Sequence, residues 1–145
     1  MATTPAVGTR TALTVTGLAT LVVGTYVASA IYTANTVKPW DVIIEIAAAT
    51  TSTPSGNKQL LVFVADSLDG TNFRSGPTTG TSAVDEANLR LIGTLPMNTA
   101  SVTQTGTFSV ATALGFCPFA FKVVIKNDLG VALTSGTAFT STITG

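Results

Sequence analysis

The sequence contains no histidine and a single cysteine, and only 10% of its residues are charged. Without histidine there is no imidazole general base, no imidazole metal ligand and no Ser-His or Cys-His nucleophile pair. The lone cysteine, Cys117, permits neither an intrachain disulfide nor a four-cysteine zinc site. Its apolar setting, GFCPF, reads as that of a packed small hydrophobe. Seven basic residues balance seven acidic ones, so the net charge is zero. A polyanion or an anionic bilayer needs a positive excess to bind, and neither nucleic acid nor membrane is an expected partner. A surface so poor in charge instead favours association with other protein. Gly-x-Gly and Gly-Lys phosphate-loop patterns are absent as well.

What the chain does have is β-sheet signal. The stretch TALTVTGLATLVVGTYVASAIYTANTV, residues 11–37, carries no charge and is long enough to span a bilayer as a helix. Threonine, serine and glycine interrupt it throughout, and its large residues are mostly β-branched or aromatic, which favours strands. From Leu21 to Tyr32 an extended chain has two weakly polar faces, as in a strand covered on both sides, with Gly17 and Gly24 as breaks. The opening MATTPAVGTR lacks the basic start and compact apolar core of a secretory leader and reads as a small-residue arm.

Further strands are expected at 41–51, with Val42, Ile44 and Ile46 opposite Asp41, Ile43 and Glu45, and at 59–66. Another is expected at 89–95, with Leu89, Leu91 and Gly93 opposite Arg90, Ile92 and Thr94. A short one is read at 105–114. In 121–128, Phe121, Val123 and Ile125 face inward, and Lys122 and Lys126 face out. The last, 137–144, has Phe139 and Ile143 on one face and threonines on the other. Turn clusters separate these strands at 51–58 and in the long polar stretch 67–88. Threonine, a β-former, makes up about a fifth of the chain. The expectation is an all-β protein: an antiparallel β-sandwich or jelly roll of about eight strands in one domain, residues 12–145, preceded by a short arm, residues 1–11.

Few residues invite a chemical reading. The run DSLDGTN, Asp66 to Asn72, gathers oxygen ligands, with Asp85 or Glu86 downstream, but an Asp-Gly turn explains it better than a calcium loop. Asp41 and Glu45 share a strand face without an aromatic platform between them, and Asp85 and Glu86 are adjacent. Trp40, at the start of a strand, is read as a cap on the core or a subunit contact, and with Tyr26 or Tyr32 it offers a sugar-stacking alternative. Lys38, Lys58, Lys122 and Lys126 are read as solvated or paired with acids. No catalytic residue, metal ligand or cofactor site is assigned, and the chain is not expected to be an enzyme.

Three segments carry a resemblance: VADSLDGTNF at 64–73, LRLIGTL at 89–95 and FKVVIKNDLGVALTSG at 121–136. They resemble the turn, the Leu/Ile-Gly strand and the Lys-hydrophobic-Asn-x-x-Gly-x-Ala-Leu hairpin of small β-sandwich virion proteins of tailed bacteriophages. Asn127, Gly130, Ala132, Leu133 and Gly136 stand in matching places, and GTYVASAIYTAN looks like the early strand of such proteins. The likeness spans roughly residues 20–140; Phe119-Ala120-Phe121 departs from the usual aromatic-rich Pro-x-Tyr/Trp lead-in. The resemblance implies a structural role in the virion; the preferred expectation is a place on the capsid surface, for a protein made in the host cytoplasm. The expected partners are the major capsid protein, as for a decoration or cement protein, and the chain itself, as a homodimer or homotrimer. A tail, neck or fibre component, and a carbohydrate-binding module, are the alternatives.

Overall fold

The alternation in residues 41–49 has the period of a half-buried strand, and the chain uses it so: Val42, Ile44, Ile46 and Ala48 are all fully buried in the strand Asp41–Ala49. The structure, a computed structural model, describes residues 4–34 and 38–145. Among them are eleven strands: β1 Ala6–Val7, β2 Thr11–Leu13, β3 Tyr26–Ala28, β4 Tyr32–Thr33, β5 Asp41–Ala49, β6 Gln59–Ser67, β7 Thr79–Gly80, β8 Arg90–Pro96, β9 Gln104–Ser109, β10 Ala120–Asp128 and β11 Ser135–Thr144. One sheet runs β1-β11-β5-β9, with β2 also on β11; the other runs β7-β3-β10-β6-β8, with β4 also on β10. Every pairing is antiparallel.

Setting aside the two-residue ladders β1, β4 and β7 leaves eight framework strands. Numbered one to eight along the chain, they form sheets in the order 1-8-3-6 and 2-7-4-5. Strand one pairs with eight, two with seven, three with six and four with five. That nesting is a jelly roll, the second of the two expected architectures. Val42, Ile44 and Ile46 from one sheet meet Val62, Val64, Phe121, Val123 and Ile125 from the other in a single core. A smaller cluster, Tyr26, Phe63, Ala65, Leu89 and Val124, lies on the far side of the second sheet. These β3, β6 and β10 residues are therefore apolar on both faces, because their sheet is covered on both sides.

Several local expectations change. The single strand expected from Leu21 to Tyr32 is broken into β3 and β4. Gly24 sits at φ +72, and Ser29 replaces a ladder acceptor with its own hydroxyl, taking the Val123 N–H at 2.9 Å. A bulge at Ile92 breaks the alternation of 89–95, so Ile92 packs on the core and Leu91 is exposed. Residues 110–114 leave the sheet as a one-turn helix, α1 Val110–Leu114. Ser109 caps its start by accepting the Thr112 N–H, and Gly115 closes its end in a left-handed conformation. In β11 the inward face is the small one, Ala138 and Thr140, while Phe139 lies outside beneath the Arg10 guanidinium. The described part of the expected arm, residues 4–11, is no free extension. Ala6–Val7 pair with β11, and the Gly8 N–H donates to Thr142 at 2.7 Å, because the edge of β11 offers open backbone groups. Residues 1–3 lie outside the described part.

Candidate interaction surface

The jelly roll gathers its connections at two ends. One end holds the segments 14–25, 50–58, 97–103 and 129–134, cross-linked by backbone bonds such as Leu133 N to Leu21 O at 3.1 Å and Ser55 N to Leu129 O at 2.7 Å. Asn127 is the centre of that network. Fully buried, it donates to the Leu21 and Val131 carbonyls at 2.8 and 2.9 Å and accepts the Leu129 N–H at 2.9 Å. The residues of the 121–136 hairpin thus have structural tasks: Asn127 ties two loops, 14–25 and 129–134, Gly130 turns at φ +70 against Ser55, Leu133 is buried and Gly136 lies flush on Leu18.

The other end holds Ala34, residues 38–40, the long segment 68–89 and the stretch 110–119. The Ala34 N–H donates to the Phe119 carbonyl at 2.8 Å, and Gly70 lies against the Phe119 ring. This end combines the polar segment 68–89 with several exposed large apolar side chains. Trp40 (53%), Leu68 (85%), Phe116 (45%) and Phe119 (46%) all reach solvent. Beside them Ala34, Lys38, Pro39, Cys117, Pro118 and Phe119 line an open cleft of about 340 Å³. Trp40 is fixed at its base, its N–H donating to Ile143 at 2.7 Å while the indole lies over Gly145. Burial pushes the half-buried Cys117 thiol up from its ordinary pKa, and the Asp41 charge adds to that, so it is a poor nucleophile.

The polar residues singled out from the sequence form no single site; most are engaged in separate local contacts. Asp69 accepts from Thr71 N and Asn72 N at 2.9 and 2.8 Å, which, with bonds from the Asn72 side chain and the Ser67 hydroxyl, holds its carboxyl far below the usual range. That is the Asp-Gly turn. Burial pushes the Asp66 carboxyl up, but the Arg74 side chain at 2.6 Å and a backbone bond outweigh it and leave it lowered. Asp41 accepts from Val42 N, Ala111 N and the Ser109 hydroxyl, and Glu45 is held by Arg10 at 2.6 Å. Glu86 accepts from Lys126 at 2.8 Å and from the Tyr26 hydroxyl; these bonds override the effect of burial and lower its pKa. Asp85, next to it, adopts φ +64 ahead of a short 3-10 turn. Lys122 lies over the Phe73 ring, 4.5 Å from its centre. Lys38 lines the cleft, while Lys58 offers its backbone carbonyl to Met97 N.

Among the described residues no group of three or more Cys, Asp or Glu is placed to hold a metal ion, and no helix is long and apolar enough to cross a membrane. Of the three aromatic rings considered for sugar stacking, Tyr26 is buried and Tyr32 is stacked on Phe121 at 4.8 Å, which leaves Trp40. The aromatic end itself was missed in the sequence. Phe116 and Phe119 are separated from Trp40 by some eighty residues, and only the topology brings their segments to the same end. Comparison with known protein families and with curated proteins finds no match to this chain.

Proposed function

We propose that this chain is a non-enzymatic virion structural protein: a capsid decoration protein that docks on the outside of a phage head and bridges neighbouring major capsid subunits. The observation that carries the reading is the set of exposed aromatic side chains at one end, Trp40, Phe116 and Phe119, beside an open cleft, on a scaffold in which Glu45, Asp66 and Glu86 are each paired with a cation. Exposed Trp and Phe are the residue types that anchor protein interfaces, whereas a soluble monomer gains nothing from them. The jelly roll is an architecture of viral coat domains and of lectins, so it is compatible with the reading without selecting it. The likeness of the 64–73, 89–95 and 121–136 segments to small phage virion proteins supports the same choice. In this reading the protein is made in the host cytoplasm and acts at the capsid surface, with the major capsid protein and copies of itself as partners.

The test is binding of purified protein to heads of the encoding phage that lack it, followed by co-sedimentation and image reconstruction. The expected result is saturable binding with density over the lattice, lost in the Trp40→Ser and Phe119→Ser variants while their thermal melts stay unchanged. Binding confined to the tail or neck would replace this reading with that of a tail component. Retention on a glycan array by wild type but not Trp40→Ser would replace it with a carbohydrate-binding one.

A further inference from the structure

The two sheets leave six outer strands, and five of them are very short or carry features that deter pairing with another chain. β1, β4 and β7 have two residues each, and β2 has three. β8 is interrupted by the bulge at Ile92, exposes Arg90 at its start and ends on Pro96. β9 has none of these. Its six residues, Gln104–Ser109, contain no charge, no proline and no register shift, and they pair in unbroken register with β5 alone. Among the described residues, the backbone of 105–109 makes no hydrogen bond beyond that ladder and the first turn of α1. Alternate N–H and C=O groups of an outer strand point away from its sheet and form a template for one more strand.

We propose that β9 is a self-pairing edge, on which β9 of a second copy docks antiparallel about a two-fold axis to make one continuous ten-stranded sheet. The side chains select both the occupant and the register. Residues directly opposite in an antiparallel pair point to the same face, so a two-fold must pass through a residue rather than between two. With the axis at Thr107, Thr107 faces Thr107 of the second copy, Thr105 faces Ser109, and Gly106 faces Phe108. The outer face then carries hydroxyl opposite hydroxyl, pairs that stabilise cross-strand contact. Small Gly106 makes room beside Phe108, which already packs against it within one copy. No like charges oppose each other. The nearest acid on the adjacent strand is Glu45, opposite Thr107 in the β5–β9 register. Across the dimer the two Glu45 residues stand three strand spacings apart, roughly 14 Å, beyond the screening length of about 8 Å at physiological salt. Each is already paired with its own Arg10. A strand of a different protein would find the same backbone template, but only a second copy meets this hydroxyl pattern with its own image. The inference does not rest on the capsid reading: a chain that dimerises through β9 but ignores phage heads keeps this and loses the other.

Sedimentation equilibrium over a concentration series tests it, with Thr107→Lys and Thr107→Glu, whose side chains lie on an exposed face; because position 107 also stands opposite Glu45 of its own copy, the monomer fold of each variant is checked by circular dichroism. Wild type is expected to dimerise. Each charged variant alone is expected to weaken the dimer by about tenfold or more, because like charges meet at the axis, and an equal mixture of the two is expected to restore it. A second readout places a cysteine at position 107 (Thr107→Cys) in a Cys117→Ser background, where opposed Cα atoms about 4.5–5.5 Å apart suit a disulfide. The expected result is a covalent dimer under mild oxidation. A wild type that stays monomeric together with a cysteine variant that does not cross-link overturns the proposal. So do charged variants that dimerise as tightly as wild type, or a mixture that restores nothing.

Discussion

Replacing Asn127 by alanine is expected to cost more than replacing any other polar residue in the chain. The side chain makes three hydrogen bonds, to Leu21 O, Val131 O and Leu129 N, at a site with no solvent exposure. A typical intramolecular bond contributes about 1 kcal/mol net, and a buried backbone group left without a partner costs about 1–3 kcal/mol. Truncation strands two carbonyls and one N–H, so the expected loss is about 3–5 kcal/mol, a large share of the ~5–15 kcal/mol that holds a domain together. For a chain of this size, roughly 2–4 °C of melting temperature accompanies each kcal/mol, giving a drop of about 10 °C. Asn127→Asp sharpens the test. It keeps the acceptor for Leu129 N but turns an oxygen toward two carbonyls, so at neutral pH it is expected to be worse than alanine and to recover partly as the carboxylate is protonated. Differential scanning calorimetry and urea titration followed by circular dichroism report both effects. A fall of less than about 3 °C for Asn127→Ala, or an aspartate variant as stable as wild type at pH 7, would refute the reasoning.

Other outcomes follow from the same packing and charge geometry. Gly93 lies against the Phe108 ring, so Gly93→Val is expected to lower stability by about 1–3 kcal/mol through overpacking, measured by urea denaturation. Phe121→Ala removes a fully buried ring stacked on Tyr32 and is expected to cost about 3–5 kcal/mol by the same assay. Asp66, Asp69 and Glu86 have folded-state pKa values below their unfolded ones. The stability they contribute is therefore fully present above the ordinary carboxylate range and lost as pH falls through the lowered values. Melting temperature should be flat from about pH 6 to 8, since no histidine titrates there, and fall below about pH 4. The Cys117 thiol, raised by burial, should react with iodoacetamide at pH 8 more slowly than a free cysteine, and Cys117→Ser should leave the melt nearly unchanged.

The framework strands were legible wherever one chemical pattern dominated. The alternation in 41–49, the apolar run 60–65 and the inward Phe121, Val123 and Ile125 of 121–128 could be read directly, because burial of one face or both leaves its period in the sequence. Turns at Asp69-Gly70 and around Gly56 were equally plain. What could not be read depended on partners distant in sequence. Ser29 interrupts a strand because its hydroxyl meets Val123, ninety-four residues away, and Ile92 bulges to fit β6. The choice between sandwich and jelly roll lay in which strands pair, and both share the same local pattern. The candidate surface was less visible still. Trp40 drew attention as the lone tryptophan, but GFCPF reads only as the apolar setting of a packed Cys117, and it is the fold that brings 110–119 to the same end as residues 38–40.

The most direct measurement of the central proposal is quantitative mass spectrometry of purified particles of the phage proposed to encode this chain, with copies counted against the major capsid protein. A decoration protein predicts a copy number that scales with the capsid lattice, one or more for every few capsid subunits. A chain that is absent from the particle, or present in the handful of copies typical of a tail or neck, would contradict it.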